Sequence, residues 1–317
     1  MSTIEGFREQ RRALFAAYGF DGKPVQLADS AGRESYALAR TNGSTPTVLV
    51  YGGVGDGAEW AQLAASIDGS VVIPDRPGFG LGYPVTFTAG NVRRVAGEWL
   101  TGIADGLRVE KINVVGCSMG GLFATAFALD HPDRIEHLVL AGSPASLVER
   151  METFLRLWTA PGIGALITRA ARFSDVEQVR SRIYRNYVSH PEAVPHDVLE
   201  LTLAALQLPG KSAANRALLQ AVMTVKGVRP ELRFRDAMTR LEVPTLFAWG
   251  DSDRLEPAST GMALAGEMPA ATFVKIEDAG HIPHIDQPTA VTAAINGFLH
   301  QRGTGSPERA SVIPLPT

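Results

Sequence analysis

Gly116, Cys117, Ser118, Met119 and Gly120 form the pattern G-x-S-x-G, which makes Ser118 a candidate nucleophile. The pattern is short and its fixed residues are common, so its context carries the argument. Residues 112–115 read Ile-Asn-Val-Val, the composition of a short buried strand. Residues 122–129 are strong helix formers with no breaker. Strand, tight turn and helix place Ser118 at the tip of a sharp bend, with the first amides of the helix aimed at any negative charge forming there. A serine hydroxyl is a poor nucleophile at neutral pH. It needs a base, and the base needs an acid that fixes its tautomer. His281 and Asp253 are the candidates, each in a loop that follows an apolar run, at 272–276 and 244–249. Asp251 stands in the same loop as Asp253 and competes with it on position alone.

The elements that must hold these groups follow from the pattern of the chain. Apolar, β-rich runs at 47–51, 70–74, 112–115, 135–141, 244–249 and 272–276 alternate with helix-periodic stretches at 60–67, 91–107, 122–129, 257–267 and 287–301. That alternation predicts a mostly parallel, twisted α/β sheet with helices on both faces. Two runs at 25–28 and 35–39 predict an edge hairpin. Residues 4–18 predict a helical arm with Phe7, Leu14, Phe15 and Tyr18 on its apolar face. Between 144 and 240 the alternation stops and only helices are expected, an inserted cap over the sheet edge. One of these opens at Ser174, with Glu177 completing a capping box. The expected division is a first core part at 1–143, the cap at 144–240, a second core part at 241–302 and a disordered tail at 303–317.

These strand-end motifs, in this order, resemble the α/β-hydrolase family. The motifs are G-C-S-M-G-G, W-G-D-S-D-R-L-E-P, A-G-H-I-P-H-I-D-Q-P and the turn D-R-P-G-F-G. The resemblance spans about residues 25–300. It implies a serine-nucleophile esterase- or lipase-like member with Ser118 as nucleophile, His281 as base and Asp253 as acid. It favours Asp253 over Asp251, because the family's acid commonly stands three residues after the strand-ending glycine, here Gly250. It implies an oxyanion hole from the backbone amides of Met119 and Gly53. The family usually has histidine where this chain has Tyr51, which leaves the hydrogen bonds inside the Tyr51-Gly52-Gly53 loop as the open point.

The implied activity is hydrolysis of a small, mostly apolar carboxylic ester, lactone or thioester through an acyl-enzyme, with no metal or organic cofactor. The alternatives are C–C bond hydrolysis, acyl transfer or a cyclase-type reaction at the same site, or ligand binding on a retained hydrolase scaffold. A serine at the elbow argues against the dehalogenases and epoxide hydrolases of the family, which use a carboxylate. Basic residues outnumber acidic ones in the cap segment, which allows an acidic substrate.

Composition narrows the classes further. The 317 residues carry a net charge of -3, which implies no general affinity for nucleic acid or anionic membrane. A single cysteine, Cys117, rules out an intramolecular disulfide and fits a reducing cytoplasm. Charged residues from Glu5 to Arg12 stand where a secretion signal would need an apolar core. Cys117 is expected to be a buried hydrophobe, His284 a packing or wall residue, and Asp75 a structural residue of its turn.

Overall fold

The computed structural model describes residues 4–29, 31–53, 56–148 and 173–300. Ten strands occur among them: β1 (Lys23–Ala28), β2 (Glu34–Arg40), β3 (Thr47–Val50), β4 (Val71–Pro74), β5 (Ile112–Gly116), β6 (Ile135–Ala141), β7 (Met223–Thr224), β8 (Gly227–Val228), β9 (Thr245–Gly250) and β10 (Ala271–Ile276). Eight form one sheet in the order β1-β2-β4-β3-β5-β6-β9-β10. The hairpin β1–β2 and the β2–β4 pair are antiparallel. Every other pairing in this sheet is parallel.

Strands β3, β4 and β5 are buried at every position, as expected where helices cover both faces. Helix Met119–Asp130 runs behind β5. Its residues from Met119 to Ala128 are all buried, so it is apolar around its whole circumference rather than on one stripe.

The register brings the functional loops to one level. Gly116 of β5 lies across from Leu140 of β6, and Leu140 from Phe247 of β9. Gly250 of β9 pairs with Ile276 of β10. The segments that leave β3, β5, β6, β9 and β10 at their C-terminal ends therefore emerge along the same edge, where open α/β sheets bind ligands.

The N-terminal helix, Ile4–Ala17, is the expected packing arm: Phe7, Leu14 and Phe15 are buried against the core. It also buries Arg11 completely, which its apolar periodicity does not announce. Arg11 makes an ion pair with Asp75 at 2.7 Å and donates to the carbonyl of Ile73 at 2.9 Å. Asp75 in turn accepts from the Leu81 amide at 3.0 Å, so the arm ties down the D-R-P-G-F-G turn. Both side chains are fully buried, and removing one partner of such a pair costs about 3–5 kcal/mol because the other charge stays buried alone. Arg11→Met is expected to lower the unfolding free energy by that amount, read by denaturant titration; a change under about 1 kcal/mol would show that the pair is not the anchor of the arm.

Three details differ from what the sequence predicts. The helix expected to open at Ser174 has Asp175 as its N-cap, whose side chain accepts from the Gln178 amide, so no capping box with Glu177 forms. Residues 144–240 are not purely helical: β7 and β8 make a two-residue hairpin where the helix Lys211–Val222 ends. Met223 switches to extended backbone there. A short helix, Pro283–Asp286, follows the His281 loop. Residues 149–172 of the expected cap lie outside the described residues, as does the expected tail. No helix among the described residues is long and apolar enough to cross a membrane.

Candidate active site

Ser118 stands between β5 and its helix with φ 52° and ψ −114°, a strained conformation for a residue with a side chain. The turn is possible because its neighbours are glycines. A Cβ on Gly120 would sit 2.1 Å from the Val50 carbonyl oxygen, inside β3. The strain is held by close packing at Gly116 and Gly120, and Ser118 borders the cavity described below.

His281 follows β10 and Asp253 follows β9. Both are buried, at 3% and 7% exposure. Nδ1 of His281 lies 3.0 Å from Oδ2 of Asp253. Among the described residues Nε2 of His281 has no hydrogen-bond partner, and the ring lines the same small cavity of about 70 Å³ as Ser118, Gly53 and Met119. Four of the five site residues expected from the sequence thus border one space, and the fifth, Asp253, reaches it through His281. Asp251 is exposed and turned elsewhere: its Oδ1 accepts from the Ser252 hydroxyl at 3.0 Å and the Ala279 amide at 3.4 Å.

Asp253 is surrounded by donors. Oδ2 accepts from the Ser143 hydroxyl at 2.8 Å and the Ser143 amide at 3.2 Å, and Oδ1 from the Leu255 amide at 2.9 Å. Burial works against the charged carboxylate, but His281, Ser143 and the Leu255 amide together outweigh it and hold the pKa below its ordinary value. Ser143 was not among the sequence candidates. Its hydroxyl oxygen also lies 2.9 Å from Nδ1 of His281, so it touches both members of the pair. The available signal was a polar residue between Gly142 and Pro144 at the end of β6, the strand between those of Ser118 and Asp253. Ser143→Ala is expected to lower turnover about tenfold, the worth of roughly one charge-assisted hydrogen bond; unchanged turnover would mean Asp253 aligns His281 unaided.

The loop after β3 answers the question that Tyr51 raised. Tyr51 is fully buried and its hydroxyl accepts from the Arg76 amide at 3.0 Å. The Gly52 amide is taken by Oε1 of Glu59 at 3.0 Å. The amides of Gly53 and Met119 donate no hydrogen bond among the described residues, and both residues border the cavity. Two free donors beside Ser118 are what an oxyanion hole there would require.

The neighbouring residues behave as packing. His284 is completely buried and stacks on Trp60 at 3.8 Å between ring centroids. Burial, with Glu59 and Asp253 nearby, pushes the Cys117 thiol well above its ordinary pKa, so it is not a thiolate nucleophile. Glu59, Cys117 and His284 offer ligand-type atoms within 4.8 Å of one another. A metal there would need the Cys117 thiolate and would compete with the Gly52 amide for Glu59, so the trio fits a polar core better than a metal centre.

The chain belongs to the α/β-hydrolase fold family, whose model matches residues 45–288. It is 29% identical over 272 residues to a 2-hydroxy-6-oxononadienedioate/2-hydroxy-6-oxononatrienedioate hydrolase of Cupriavidus pinatubonensis, covering 82% of this chain and 88% of that one. It is 27% identical over 270 residues to a pimeloyl-[acyl-carrier protein] methyl ester esterase of Aeromonas hydrophila, covering 84% and 99%. Among solved structures it resembles the 2-hydroxy-6-oxo-6-phenylhexa-2,4-dienoate hydrolase of Rhodococcus sp. strain RHA1, with a TM-score of 0.72 and 21% identity over 88% of this chain and 99% of that one. This last likeness is one of fold.

Proposed function

We propose that this hydrolase cleaves a small, mostly apolar carboxylic ester, lactone or thioester through an acyl-enzyme on Ser118. The observation that carries the reading is the Asp253–His281 pair at 3.0 Å, with the unpartnered Nε2 of His281 in the cavity that Ser118 lines. In this reading Ser118 Oγ attacks the carbonyl carbon while Nε2 takes its proton. The oxyanion settles on the amides of Gly53 and Met119. The C–O or C–S bond breaks and the leaving group takes the proton from His281. Water, activated by the same nitrogen, then releases the acid and restores the serine. Asp253 keeps the neutral ring in the tautomer with its proton on Nδ1 and stabilises the imidazolium. The segment between β6 and β9 acts as a cap that sets substrate choice, and the buried lone cysteine suits a cytoplasmic setting.

A second reading is cleavage of a C–C bond in a carboxylated dienone, favoured by the name of the 29% identical relative. The lining argues for the ester. Among the described lining residues the one acidic side chain is Glu59, and none is a lysine or arginine that would hold a substrate carboxylate. Leu219, Met223, Leu255 and Ile282 supply apolar wall. The distinguishing experiment is a panel of short aryl esters against carboxylated 2-hydroxy-6-oxo-dienoates. Aryl ester kcat/KM is expected to be higher by at least about tenfold, roughly 1.4 kcal/mol of transition-state preference. The opposite ranking would replace the ester reading with the C–C one.

A further inference from the structure

We propose that Arg76 is a positioning residue for the oxyanion hole: through the Gly52 carbonyl it aims the Gly53 amide at the reacting oxygen, with Glu59 fixing the other side of Gly52. This inference rests on the reading that Gly53 is an oxyanion donor.

The Gly52 carbonyl and the Gly53 N–H belong to one planar trans peptide, so they point in opposite directions. Nη2 of Arg76 donates to the Gly52 oxygen and reaches the Gly53 oxygen at 3.5 Å. Holding the carbonyl toward Arg76 turns the Gly53 N–H away from it. The loop lies against the nucleophile, since a Cβ on Gly52 would meet the Ser118 Cβ at 3.5 Å. Glu59 takes the Gly52 amide at 3.0 Å, so both polar groups of that residue are pinned by ionisable side chains.

A loop built on two glycines has little conformational preference of its own. Without such ties, the Gly52–Gly53 peptide could rotate and swing its donor out of line.

Arg76 is suited to hold it. It is completely buried, and its guanidinium carbon sits 4.2 Å from the Phe79 ring centroid and 4.8 Å from that of Tyr51. Among the described residues its Nε and Nη1 have no hydrogen-bond partner, and its side-chain hydrogen bonds go to the loop carbonyls. The Tyr51 hydroxyl accepts from the Arg76 amide, which locks the backbone that carries the side chain. A cation on the carbonyl also polarises the peptide and strengthens its N–H as a donor. The residue in the place of the usual histidine is thereby part of the same device.

The test uses Arg76→Met, Arg76→Lys and Glu59→Gln with the parent enzyme. Three readings are taken: steady-state kinetics on an aryl ester, melting temperature, and inhibition by an aliphatic trifluoromethyl ketone. The ketone adds to the serine and places an oxyanion in the hole. Deleting one oxyanion donor costs about 10²–10³ in kcat, and a misaimed donor loses part of that. Arg76→Met is expected to lower kcat about 10- to 100-fold with KM within about twofold, and to weaken the ketone by the same factor as kcat. Arg76→Lys, which retains one charged donor, should recover part of both. Glu59→Gln should lower kcat about threefold to tenfold with KM unchanged.

Parent-like kcat and ketone affinity in Arg76→Met, with only the melting temperature lowered, would overturn the inference and make Arg76 structural. If that variant does not fold, parent-like kcat in both Arg76→Lys and Glu59→Gln would overturn it equally. Failure of the underlying reading looks different: the ketone would not inhibit the parent, or would bind Ser118→Ala as tightly.

Discussion

Ser118→Ala is expected to lose turnover by about 10⁵- to 10⁶-fold while melting near the parent temperature. Removing the hydroxyl removes the covalent route, and in a serine protease the loss of the nucleophile alone costs about as much as losing the whole triad. Residual rate would come from the oxyanion donors and from binding. His281→Ala should fall nearly as far, and the double variant hardly further, because the two groups act as a unit. Fold is expected to survive because Ser118 makes no side-chain hydrogen bond among the described residues and alanine removes only its hydroxyl. A Ser118→Ala protein that retains more than about a thousandth of parental turnover would place the nucleophile elsewhere.

Asp253→Asn is expected to lose about 10⁴-fold in turnover, and Asp251→Asn less than about threefold. The two residues share a loop, and only their partners separate them. Asp253 accepts at Oδ2 from His281 and Ser143. An asparagine there presents either an amide that repels the Nδ1 proton or a neutral oxygen that no longer stabilises the imidazolium. Asp251 meets a serine hydroxyl and a backbone amide in an exposed turn. Its loss should cost about 0.5–1.5 kcal/mol of stability, visible in the melt and hardly in the rate. If Asp251→Asn carried the kinetic loss and Asp253→Asn only a stability loss, the acid would be misassigned.

Much of the candidate site is legible in the sequence because the fold's logic is local. Each of Gly53, Ser118, Asp253 and His281 follows an apolar run, and parallel strands send all such loops to one edge. The strand–turn–helix context of Ser118 needs only contiguous residues to be read. The preference for Asp253 over Asp251 came from the resemblance, and the His281 contact agrees with it. What was not legible depends on contacts between distant residues. Arg11 reaches Asp75 across 64 positions and Ser143 reaches Asp253 across 110, with no periodicity that couples either pair. Glu59 sits in the apolar start of a helix, where its pairing with the Gly52 amide is a matter of loop closure. The Asp175 cap was missed for a different reason: Ser174 and Asp175 are both good N-cap residues, and local propensity cannot rank neighbours so alike. The hairpin of β7 and β8 was missed because two-residue strands carry no alternation to detect.

We propose Ser118 as the reactive serine of a working hydrolase. The most direct test is a fluorophosphonate probe, followed by intact-mass and peptide mass spectrometry on parent and Ser118→Ala protein. One phosphonyl group per chain is predicted, on the peptide that contains Ser118, with none on the Ser118→Ala protein. An unlabelled parent that is folded, or label on another residue that persists in Ser118→Ala, would contradict the account.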